Sequence, residues 1–418
     1  MSKANGIAEK KDNYLQHVSL KNYKSIKDLE IGFKPGLNII IGKNASGKTN
    51  FVNFLYNLVG FQWEQITDNP HGEFIFDRGE DSYRVAVDGV IELTTSESMS
   101  NMEWFHKPRK FNADLFKNNS KFSLYHDKED PSSYPKGLLF NMNYARYLIK
   151  IIKYGVPYRE KIIELAANLS INSHYVVIED DVVLEKTENS FFLTSLLTKI
   201  EHDFKYKEIN NEKIAMSIFN EISISFFGQI NHALVSFTDI SEIRISPNLN
   251  LYKDKGGRIN VYNLYLEFCV NNEWFPYYEL SDGSKRLFYI ISEILCFNRF
   301  EIIAANLEGY DDEKSPANII LLEEPELGIH PHQLHKLMQF IKEQAREKQI
   351  ILTTHSPQVL DVLGPDELDR IIICHSDAKN GTQLSHLTEK EMAKARKYMK
   401  EEAFLSDYWR FSDLEPAS

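Results

Sequence analysis

The sequence predicts an α/β fold with a mixed sheet core, an antiparallel β lobe and a mainly helical insertion. Strand-like apolar runs alternate with helical patterns in the first and last parts of the chain, which is typical of an at least partly parallel sheet. The glycine-rich segment GKNASGKT, residues 42–49, lies between an apolar strand and a helix. The apolar run 318–322 ends on two adjacent carboxylates, Glu323 and Glu324. We therefore expect the chemistry of the protein at the ends of strands.

The first 240 residues are predicted to form a tail, the first part of the core and an insertion. Residues 1–13 are polar and predict a flexible tail. Residues 14–94 carry strand patterns, the glycine-rich segment and a helix from about Lys48, whose apolar face is FVNFLYNLV. Residues 95–240 form the predicted insertion, in which YARYLIKIIKYG and FFLTSLLTKIEHDF are helix-like patches.

Strand patterns return over residues 241–376, which complete the predicted core. Within GRINVYNLYLEFCVNNEWFPYYEL, the central NNE predicts a hairpin turn. A helix from about Gly283 to Phe297, the strand that ends on the two carboxylates, a helix over about 331–347 and the strand QIILTTH follow. The strand DRIIICH then leads into a short helical C-terminal tail, residues 377–418.

The composition is that of a globular, enzyme-sized protein. The 418 residues are 43% hydrophobic and 26% charged, which is enough to bury one large core or two moderate ones. No stretch approaches the ~20 apolar residues of a membrane-spanning helix, and the N-terminal segment has no apolar signal core. We expect a soluble, cytoplasmic protein without a membrane partner. Cys269, Cys296 and Cys374 are widely spaced in apolar runs, so we expect buried thiols rather than disulfides or a zinc site.

One segment has the composition of a nucleic-acid contact. The formal net charge of -12 argues against attraction of nucleic acid by the whole surface, although a local basic groove is compatible with it. Residues 106–121 interleave basic side chains with Phe111 and Phe116. The basic residues are His106, Lys107, Arg109, Lys110, Lys117 and Lys121. Such a run is more often a solvated face, so nucleic acid is a candidate partner only.

The segment 42–49 matches the pattern G-x-x-x-x-G-K-[ST] in the position that this pattern requires. Gly42 and Gly47 let the backbone wrap closely, so that successive N–H groups and the helix N-terminus face phosphates. Lys48 is predicted to place its ammonium between the β- and γ-phosphates of a nucleotide, and Thr49 to bind Mg²⁺ through its hydroxyl. The predicted phosphate-binding residues are Gly42, Lys43, Asn44, Ala45, Ser46, Gly47, Lys48, Thr49 and Asn50.

Two neighbouring carboxylates repel each other unless a cation or a shared task holds them together. Taken alone, Glu323 and Glu324 before Pro325 would indicate a core strand that runs out into a solvated turn. Beside a phosphate loop they have a chemical use. Glu323 is predicted to hold Mg²⁺, usually through water, and Glu324 to orient and deprotonate the attacking water.

On these residues the chain resembles the ABC-type ATPases of the RecF, SMC and OLD group. Their strand ends in a pattern like hhhh-D/E-E-P-E-x-x-x-H-P, which IILLEEPELGIHP matches closely. The usual first acid is Asp, so Glu323 adds a methylene. The resemblance implies ATP and Mg²⁺ as cofactors, and it implies that the segment from Glu326 to Pro331 is a D-loop at a dimer interface.

The segment LSDGSKRLFYIISEIL, from Leu280, resembles the LSGGQ signature and its helix. It keeps Ser281 and Gly283 but has Asp282 and Ser284 where the signature has Gly and Gln. The resemblance implies that Ser281 and Gly283 bind the γ-phosphate of a nucleotide held by another subunit, as a hydroxyl and a helix N-terminus are able to do. The residues alone are equally compatible with a helix cap.

The strand QIILTTH ends on His355, which matches the switch histidine that reaches the γ-phosphate or its attacking water. A histidine at a strand end is otherwise more often structural. The predicted catalytic residues are therefore Lys48, Glu324 and His355. A Q-loop residue has no clear candidate, because neither Gln62 nor Gln65 has a strand-end context.

The resemblance implies a function that works through assembly. Each site needs the phosphate loop of one subunit and the signature of another. One copy of each predicts a head-to-tail homodimer, or a larger homo-oligomer, in which ATP joins the subunits and hydrolysis releases them. A Toprim domain like that of OLD nucleases is not expected, because about sixty residues follow His355 and ICHSDAKNG supplies a single Asp.

Three functions follow from the resemblance. The leading one is a slow ATPase subunit of a prokaryotic two-gene system, similar to ATPases of antiphage defence such as Septu or PARIS, whose effector, a nuclease in this hypothesis, is a separate protein. The runner-up is a DNA-repair ATPase similar to RecF, in which the dimer itself clamps DNA. The third is an ATP-dependent scaffold with negligible turnover, which Glu323 in place of Asp would favour.

Overall fold

The computed structural model describes residues 14–59, 70–78, 81–90, 110–117, 120–126, 149–154, 167–171, 176–178, 190–206, 212–255, 259–296, 317–401 and 404–411. The strands are β1 (Tyr14–Tyr23), β2 (Ile26–Gly32), β3 (Leu37–Ile41), β4 (His71–Arg78), β5 (Asp81–Val90), β6 (Lys110–Lys117), β7 (Ser120–His126), β8 (Ile149–Tyr154), β9 (Ala167–Ile171), β10 (Val176–Ile178), β11 (Ile240–Ile245), β12 (Asn250–Lys253), β13 (Ile259–Leu264), β14 (Leu266–Val270), β15 (Glu273–Pro276), β16 (Ala317–Glu323), β17 (Gln349–Thr354), β18 (Ile371–Asp377) and β19 (Gly381–His386). The helices are α1 (Lys48–Val59), α2 (Phe191–Tyr206), α3 (Glu212–Phe237), α4 (Asp282–Cys296), α5 (Pro331–Gln344), α6 (Glu389–Lys400) and α7 (Leu405–Phe411). Short 3-10 helices cover Tyr277–Glu279, Pro357–Val362 and Pro365–Arg370.

The chain divides into two compact units, whose boundaries differ from the predicted ones. The first unit comprises Met1–Gly155, Asp311–Pro325 and Ile341–Ser418. The second unit comprises Val156–Tyr310 and Glu326–Phe340. The part that interrupts the core therefore begins later than the predicted residue 95 and extends past the predicted residue 240.

A mixed sheet forms the first unit, which confirms the predicted α/β class. Among the described residues its strand order is β7-β6-β5-β4-β1-β2-β19-β18-β3-β17-β16-β8. The last five strands in this order pair in parallel, and the others pair antiparallel. Every residue of β3 and β17 is buried, as expected for parallel strands whose two faces are both covered.

Helix α1 packs its apolar stripe on one face of this sheet. Phe51, Phe54 and Leu55 are fully buried and share a core cluster with Ile40 and Ile351 of the central strands. Their spacing places them on one side of a helix, and burying each such side chain stabilises the fold by about 2 kcal/mol. This packing fixes where the N-terminus of α1 lies against the sheet.

Residues 377–418 are predicted to form a short helical tail, but their first part, strand β19, belongs to the sheet. Strand β19 pairs antiparallel with β18 and contacts β2 at Gly381. Thr388 then caps α6, since its hydroxyl accepts the N–H of Glu391 at 3.3 Å. The helices α6 and α7 agree with the predicted helical end of the chain.

Helix α7 is held to the turn that follows β17. The N–H and the hydroxyl of Ser406 both donate to the carboxylate of Asp361, each at 2.8 Å, and Trp409 is buried. Burial raises the pKa of Asp361, while the two hydrogen bonds from Ser406 oppose that rise. The last helix therefore braces the 3-10 segment Pro357–Val362.

Helices and two small antiparallel sheets form the second unit. The sheet orders in the described part are β10-β9-β13-β12 and β11-β14-β15. The rings of Phe192 on α2 and Phe288 on α4 meet edge to face with centroids 5.2 Å apart. Glu293 of α4 is fully buried and accepts the N–H groups of Phe191 at 2.8 Å and of Phe192 at 3.2 Å. These contacts tie α4 to the start of α2.

The predicted insertion, residues 95–240, differs from the prediction in its first part. The patch YARYLIKIIKYG is predicted helical, but Ile149–Tyr154 form β8, which pairs in parallel with β16. A short apolar run does not by itself distinguish a strand from a helix, so the long-range pairing decides. The patch FFLTSLLTKIEHDF lies in α2, as predicted, and α3 follows it.

The predicted hairpin turn at NNE is confirmed. Asn271 and Asn272 have φ values of 53° and 65°, and they connect β14 to β15, whose ends pair as Val270 with Glu273. Positive φ at both central residues is the requirement of a type I′ turn, and asparagine tolerates it.

Three further predictions have different outcomes. The three cysteines are buried free thiols, as predicted. Within the described ranges, no helix combines the length and the apolar character needed to cross a membrane. Of the candidate basic segment, Lys110 and Lys117 lie on β6 and Lys121 on β7. The tail 1–13, Gln62, Gln65, His106, Lys107 and Arg109 lie outside the described residues.

Candidate functional site

The segment 42–49 forms a tight loop between β3 and α1. Ala45 and Gly47 have φ values of 62° and 103°, and the N–H of Gly42 donates to the carbonyl of Thr354 at 3.3 Å. Residues with positive φ turn neighbouring N–H groups toward one side of a loop, which makes an anion-binding concavity. Helix α1 begins directly after Gly47, so its N-terminus faces the same concavity.

Close contacts require glycine at both ends of this loop. A Cβ on Gly42 would collide with the backbone carbonyl of Cys374, and a Cβ on Gly47 would collide with the side chain of Thr382. Gly47 also has a φ value that residues with a side chain rarely adopt. The glycines therefore let the loop lie directly on β18 and β19.

Lys48 lies inside the curve of the loop. Its side chain is buried, and Nζ donates to the carbonyl of Gly42 at 2.7 Å and to that of Lys43 at 2.9 Å. An ammonium has three donors and no acceptor, so these carbonyls use part of its hydrogen-bonding capacity. The arrangement holds a positive charge at the concavity.

Some of the other residues in the loop and the first turn of α1 are exposed to solvent, and Asn50 is hydrogen-bonded to the protein. Asn50 is half-buried, and its Nδ2 donates to Ser25 Oγ at 2.8 Å. The exposed members are Lys43, Asn44, Ala45 and Thr49. The hydroxyl of Thr49 is therefore accessible to a ligand at the loop, whereas Asn50 is bonded to the protein.

The floor of the loop consists of residues that the sequence analysis missed. The buried hydroxyl of Ser46 donates to Cys374 Sγ at 3.3 Å, and its carbonyl accepts Thr382 Oγ1 at 3.0 Å. Burial raises the pKa of the Cys374 thiol, opposed by the Ser46 hydrogen bond and by the charge of Lys48. These partners are 328 and 336 residues away along the chain, so no local pattern could have identified them.

Glu323 ends β16 as a buried carboxylate with 6% of its surface exposed. It pairs in register with Thr353 on β17, and paired residues of neighbouring strands place their side chains on the same face of a sheet. The Thr353 hydroxyl is fully buried and makes no hydrogen bond within the described part of the chain. Buried hydroxyls are rarely left unpaired. A carboxylate beside such a hydroxyl suits a hydrated divalent cation.

Glu324 follows in a strained conformation. Its φ value of 45° is uncommon for a residue with a side chain, and its N–H donates to the carbonyl of Thr353 at 2.8 Å. Carboxylate Oε1 of Glu324 lies 3.4 Å from Nδ1 of His355, and the two side chains are 24% and 37% exposed. Backbone strain of this kind costs about 1–3 kcal/mol and is found mostly at functional sites.

The sheet topology brings these residues to one edge. Strands β3, β17 and β16 are adjacent and parallel, so their carboxyl ends meet on the same side, where α/β sheets bind ligands. The predicted residues that the first unit unites at this edge are Gly42 to Asn50, Glu323, Glu324 and His355.

Ser281 and Gly283 belong to the second unit, at the start of α4. The hydroxyl of Ser281 accepts the N–H of Ser284 at 3.1 Å, so Ser281 caps the helix. A Cβ on Gly283 would lie 3.2 Å from the carbonyl of Gly328, which places the turn Glu326 to Pro331 against the helix start. The cap and this turn form one surface of the second unit.

An open mixed sheet with a phosphate-binding loop after one parallel strand and acidic residues after its neighbour defines a P-loop protein of the ABC type. The chain belongs to the AAA_21 family, described as "AAA domain, putative AbiEii toxin, Type IV TA system", whose model matches residues 37–361. This match covers more than half of the chain, and it spans the loop, the helix cap, both acids and His355.

Individual relatives are distant in sequence. The DNA replication and repair protein RecF of Streptococcus agalactiae serotype V is 24% identical over 390 residues, covering 85% of this chain and 95% of that protein. The crystal structure of an SMC head bound to the C-winged helix domain of ScpA has a TM-score of 0.47 at 16% identity, over 91% of this chain and 99% of its own. The Smc head domain with an extended coiled coil from Pyrococcus furiosus, bound to the C-terminal domain of ScpA, has a TM-score of 0.46 at 14% identity, over 93% and 99%.

Proposed function

We propose that the protein binds ATP and hydrolyses it slowly at the edge formed by the phosphate loop and the acidic strand end. The observation that carries this proposal is the 3.4 Å contact of Glu324 with His355 at the same sheet edge as the loop. Attack of water on a phosphoryl group requires a base, a group that orients it, and a concavity that holds the phosphates. The first unit supplies groups suited to each of these tasks.

The loop and Lys48 would bind the phosphates. Nζ of Lys48 sits between the carbonyls of Gly42 and Lys43, and phosphate oxygens would take over as stronger, charged acceptors. The Thr49 hydroxyl and the Glu323 carboxylate would hold Mg²⁺, which neutralises part of the phosphate charge when bound. The Thr353 hydroxyl, which has no hydrogen-bond partner among the described residues, lies beside Glu323 and would bond a water molecule there.

Glu324 is placed to act as the general base. It is more exposed than Glu323, so water reaches its carboxylate more easily. The positive φ of Glu324 turns its side chain out of the regular alternation of β16, which separates the tasks of the two acids. His355 would orient the Glu324 carboxylate or contact the γ-phosphate.

We expect Glu324→Gln to lower the steady-state rate of ATP hydrolysis by about 100-fold or more, because the amide keeps the shape of the side chain and loses the base. ATP affinity should change by less than about threefold, since the loop is untouched. Phosphate release measures the rate, and titration calorimetry measures the affinity. Glu343→Gln, at an exposed acid on α5, is the matched control. Unchanged hydrolysis in Glu324→Gln would contradict the assignment and favour a scaffold with negligible turnover.

We further propose that ATP joins two copies head to tail and that the assembly controls a separate effector, a nuclease, in antiphage defence. The Ser281 cap and the turn Glu326 to Pro331 lie side by side on the second unit, which suits a surface that binds the nucleotide of another subunit. The family description names a toxin of a type IV toxin–antitoxin system. A family with two-component members supports a role that depends on a second protein.

The effector proposal predicts a stable complex with the product of a neighbouring gene. The two proteins are co-expressed and separated by size-exclusion chromatography with ATP and Mg²⁺. We expect the wild-type protein and its partner to elute together in one peak. For Lys48→Ala we expect an elution volume that is the same with and without ATP, because the phosphate-binding charge is gone. Separate elution of the wild-type protein from every neighbouring gene product would contradict the proposal.

The likeness to RecF supports a second candidate, an ATPase dimer that clamps DNA. It spans 85% of this chain. Lys110 and Lys117 lie on β6, and Lys121 lies on the adjacent strand β7 at one end of the sheet; basic residues are the usual partners of DNA phosphates.

If this candidate is correct, the triple change of Lys107, Arg109 and Lys110 to Gln weakens ATP-dependent DNA binding. The slope of log affinity against log salt should become shallower by about 0.9 for each DNA phosphate that the variant no longer neutralises. Fluorescence anisotropy with duplex DNA at several salt concentrations measures both effects. Neutralising the exposed residues Lys394, Lys397 and Lys400 of α6 is the matched control. Wild-type protein that does not bind DNA with ATP would exclude this candidate.

A further inference from the structure

Three hydroxyl and amide side chains form a hydrogen-bonded chain beneath the phosphate loop. Thr382 on β19 is fully buried. Its Oγ1 donates to the carbonyl of Ser46 at 3.0 Å and lies 2.8 Å from Ser25 Oγ. Asn50 Nδ2 donates to Ser25 Oγ at 2.8 Å. These hydrogen bonds connect α1, the β1–β2 turn and β19 to one peptide group of the loop.

The donor and acceptor roles in this series of hydrogen bonds are determined. A carbonyl only accepts, so the single hydroxyl hydrogen of Thr382 is used on Ser46. Ser25 must therefore donate to Thr382, and the Ser25 hydroxyl oxygen accepts the amide N–H of Asn50. Each hydroxyl in the chain donates once and accepts once, and Thr382 is the last donor before the loop.

The bond to Ser46 sets the orientation of the next N–H group. A peptide group is planar and trans, so the N–H of Gly47 points opposite to the carbonyl of Ser46. Because Thr382 holds that carbonyl toward β19, the Gly47 N–H points away from β19. The Thr382 side chain also occupies the space under Gly47, where its Cγ2 and Cβ would be 2.6 and 2.8 Å from an added Cβ.

The position of Thr382 is itself fixed by the backbone of the β1–β2 turn. The N–H of Thr382 donates to the carbonyl of Ser25 at 2.8 Å. Gly381, directly before it, has a φ value of 69°, and a Cβ there would collide with the same Ser25 carbonyl. Glycine therefore lets β19 approach the turn closely enough for the two hydroxyls to meet.

The tip of the β18–β19 hairpin is held by the start of β2, directly after the same turn. Lys27 Nζ donates to the carbonyls of Ala378 at 3.1 Å and Lys379 at 2.8 Å. The Asp377 carboxylate accepts the N–H of Asn380 at 2.6 Å and that of Lys379 at 2.8 Å, and these bonds lower the pKa of Asp377. A tip closed in this way leaves Thr382 little freedom to move away from the loop.

We propose that Thr382 is a positioning residue for the phosphate loop, which it holds in the conformation that presents the Gly47 N–H to a nucleotide phosphate. The inference rests on the proposed binding of ATP. Thr382 acts through the Ser46–Gly47 peptide and does not touch the nucleotide. Its contribution is to pre-organise an N–H group that would otherwise be free to rotate with its peptide, and pre-organisation reduces the ordering cost of binding.

The variant Thr382→Val tests this inference, because valine keeps the shape of threonine and removes the hydroxyl. It removes the hydroxyl donor of the Ser46 carbonyl and leaves only the weak donor Cys374 Sγ at 3.5 Å, so we expect the affinity for the non-hydrolysable analogue AMP-PNP with Mg²⁺ to fall about tenfold. KM for ATP should rise by a similar factor and kcat should change less than about threefold, since Glu324 and His355 are untouched.

Two further variants separate positioning from loss of structure. Thr382→Ser restores the hydroxyl and should recover most of the affinity. Ser25→Ala, at a half-buried residue, should weaken binding about threefold, because it removes the neighbour of Thr382 but leaves the bond to Ser46. Ser376→Ala is the matched control, since Ser376 is exposed on the same hairpin and pairs across from Thr382. Thermal unfolding of each variant checks the fold.

The outcomes are distinct. Weak binding by Thr382→Val, recovery by Thr382→Ser and wild-type binding by Ser376→Ala support the inference. Wild-type affinity in Thr382→Val, or equally weak binding in the Val and Ser variants, overturns it while ATP binding stands. If Thr382→Val does not fold, wild-type affinity in Ser25→Ala overturns it. A wild-type protein that does not bind AMP-PNP overturns the proposed function and the inference together.

Discussion

The parallel pairing of β3, β17 and β16 is the constraint on which the site depends. Thr353 pairs with Ile40 on one side and with Glu323 on the other, so the phosphate loop, the acidic pair and His355 all follow strands that end at the same level. A shift of one residue in either pairing would move Glu323 to the opposite face of the sheet. The core packing of α1 then adds the helix N-terminus to the same edge.

The edge concentrates features that an ordinary strand end would avoid. It holds a buried carboxylate, a buried lysine, a buried hydroxyl without a hydrogen-bond partner in the described ranges and a non-glycine residue with positive φ, which are Glu323, Lys48, Thr353 and Glu324. Each of these disfavours the folded state unless a ligand or a partner group compensates for it. Apolar burial in β3, β16, β17 and α1 stabilises the fold that keeps them in place.

The sequence predicted the parts of the structure that local pattern determines. The phosphate loop, α1, the asparagine hairpin turn, the strand that ends on Glu323 and the strand that precedes His355 each have a signal within a few residues. Strand β8, the sheet position of β19 and the boundaries of the two units depend on pairing between distant segments. Thr382 lies 336 residues from its partner on the loop, and a lone threonine in a strand has no pattern that marks it as part of a site.

The most direct test of the account is the mass of the purified protein in solution with and without ATP and Mg²⁺, measured by light scattering for the wild type, Glu324→Gln and Lys48→Ala. If Glu324 is the hydrolytic base of an assembly joined by ATP, Glu324→Gln accumulates a nucleotide-bound dimer or larger species, while Lys48→Ala keeps the mass that it has without nucleotide. Equal masses in all three proteins, with and without nucleotide, would contradict the claim that ATP drives assembly.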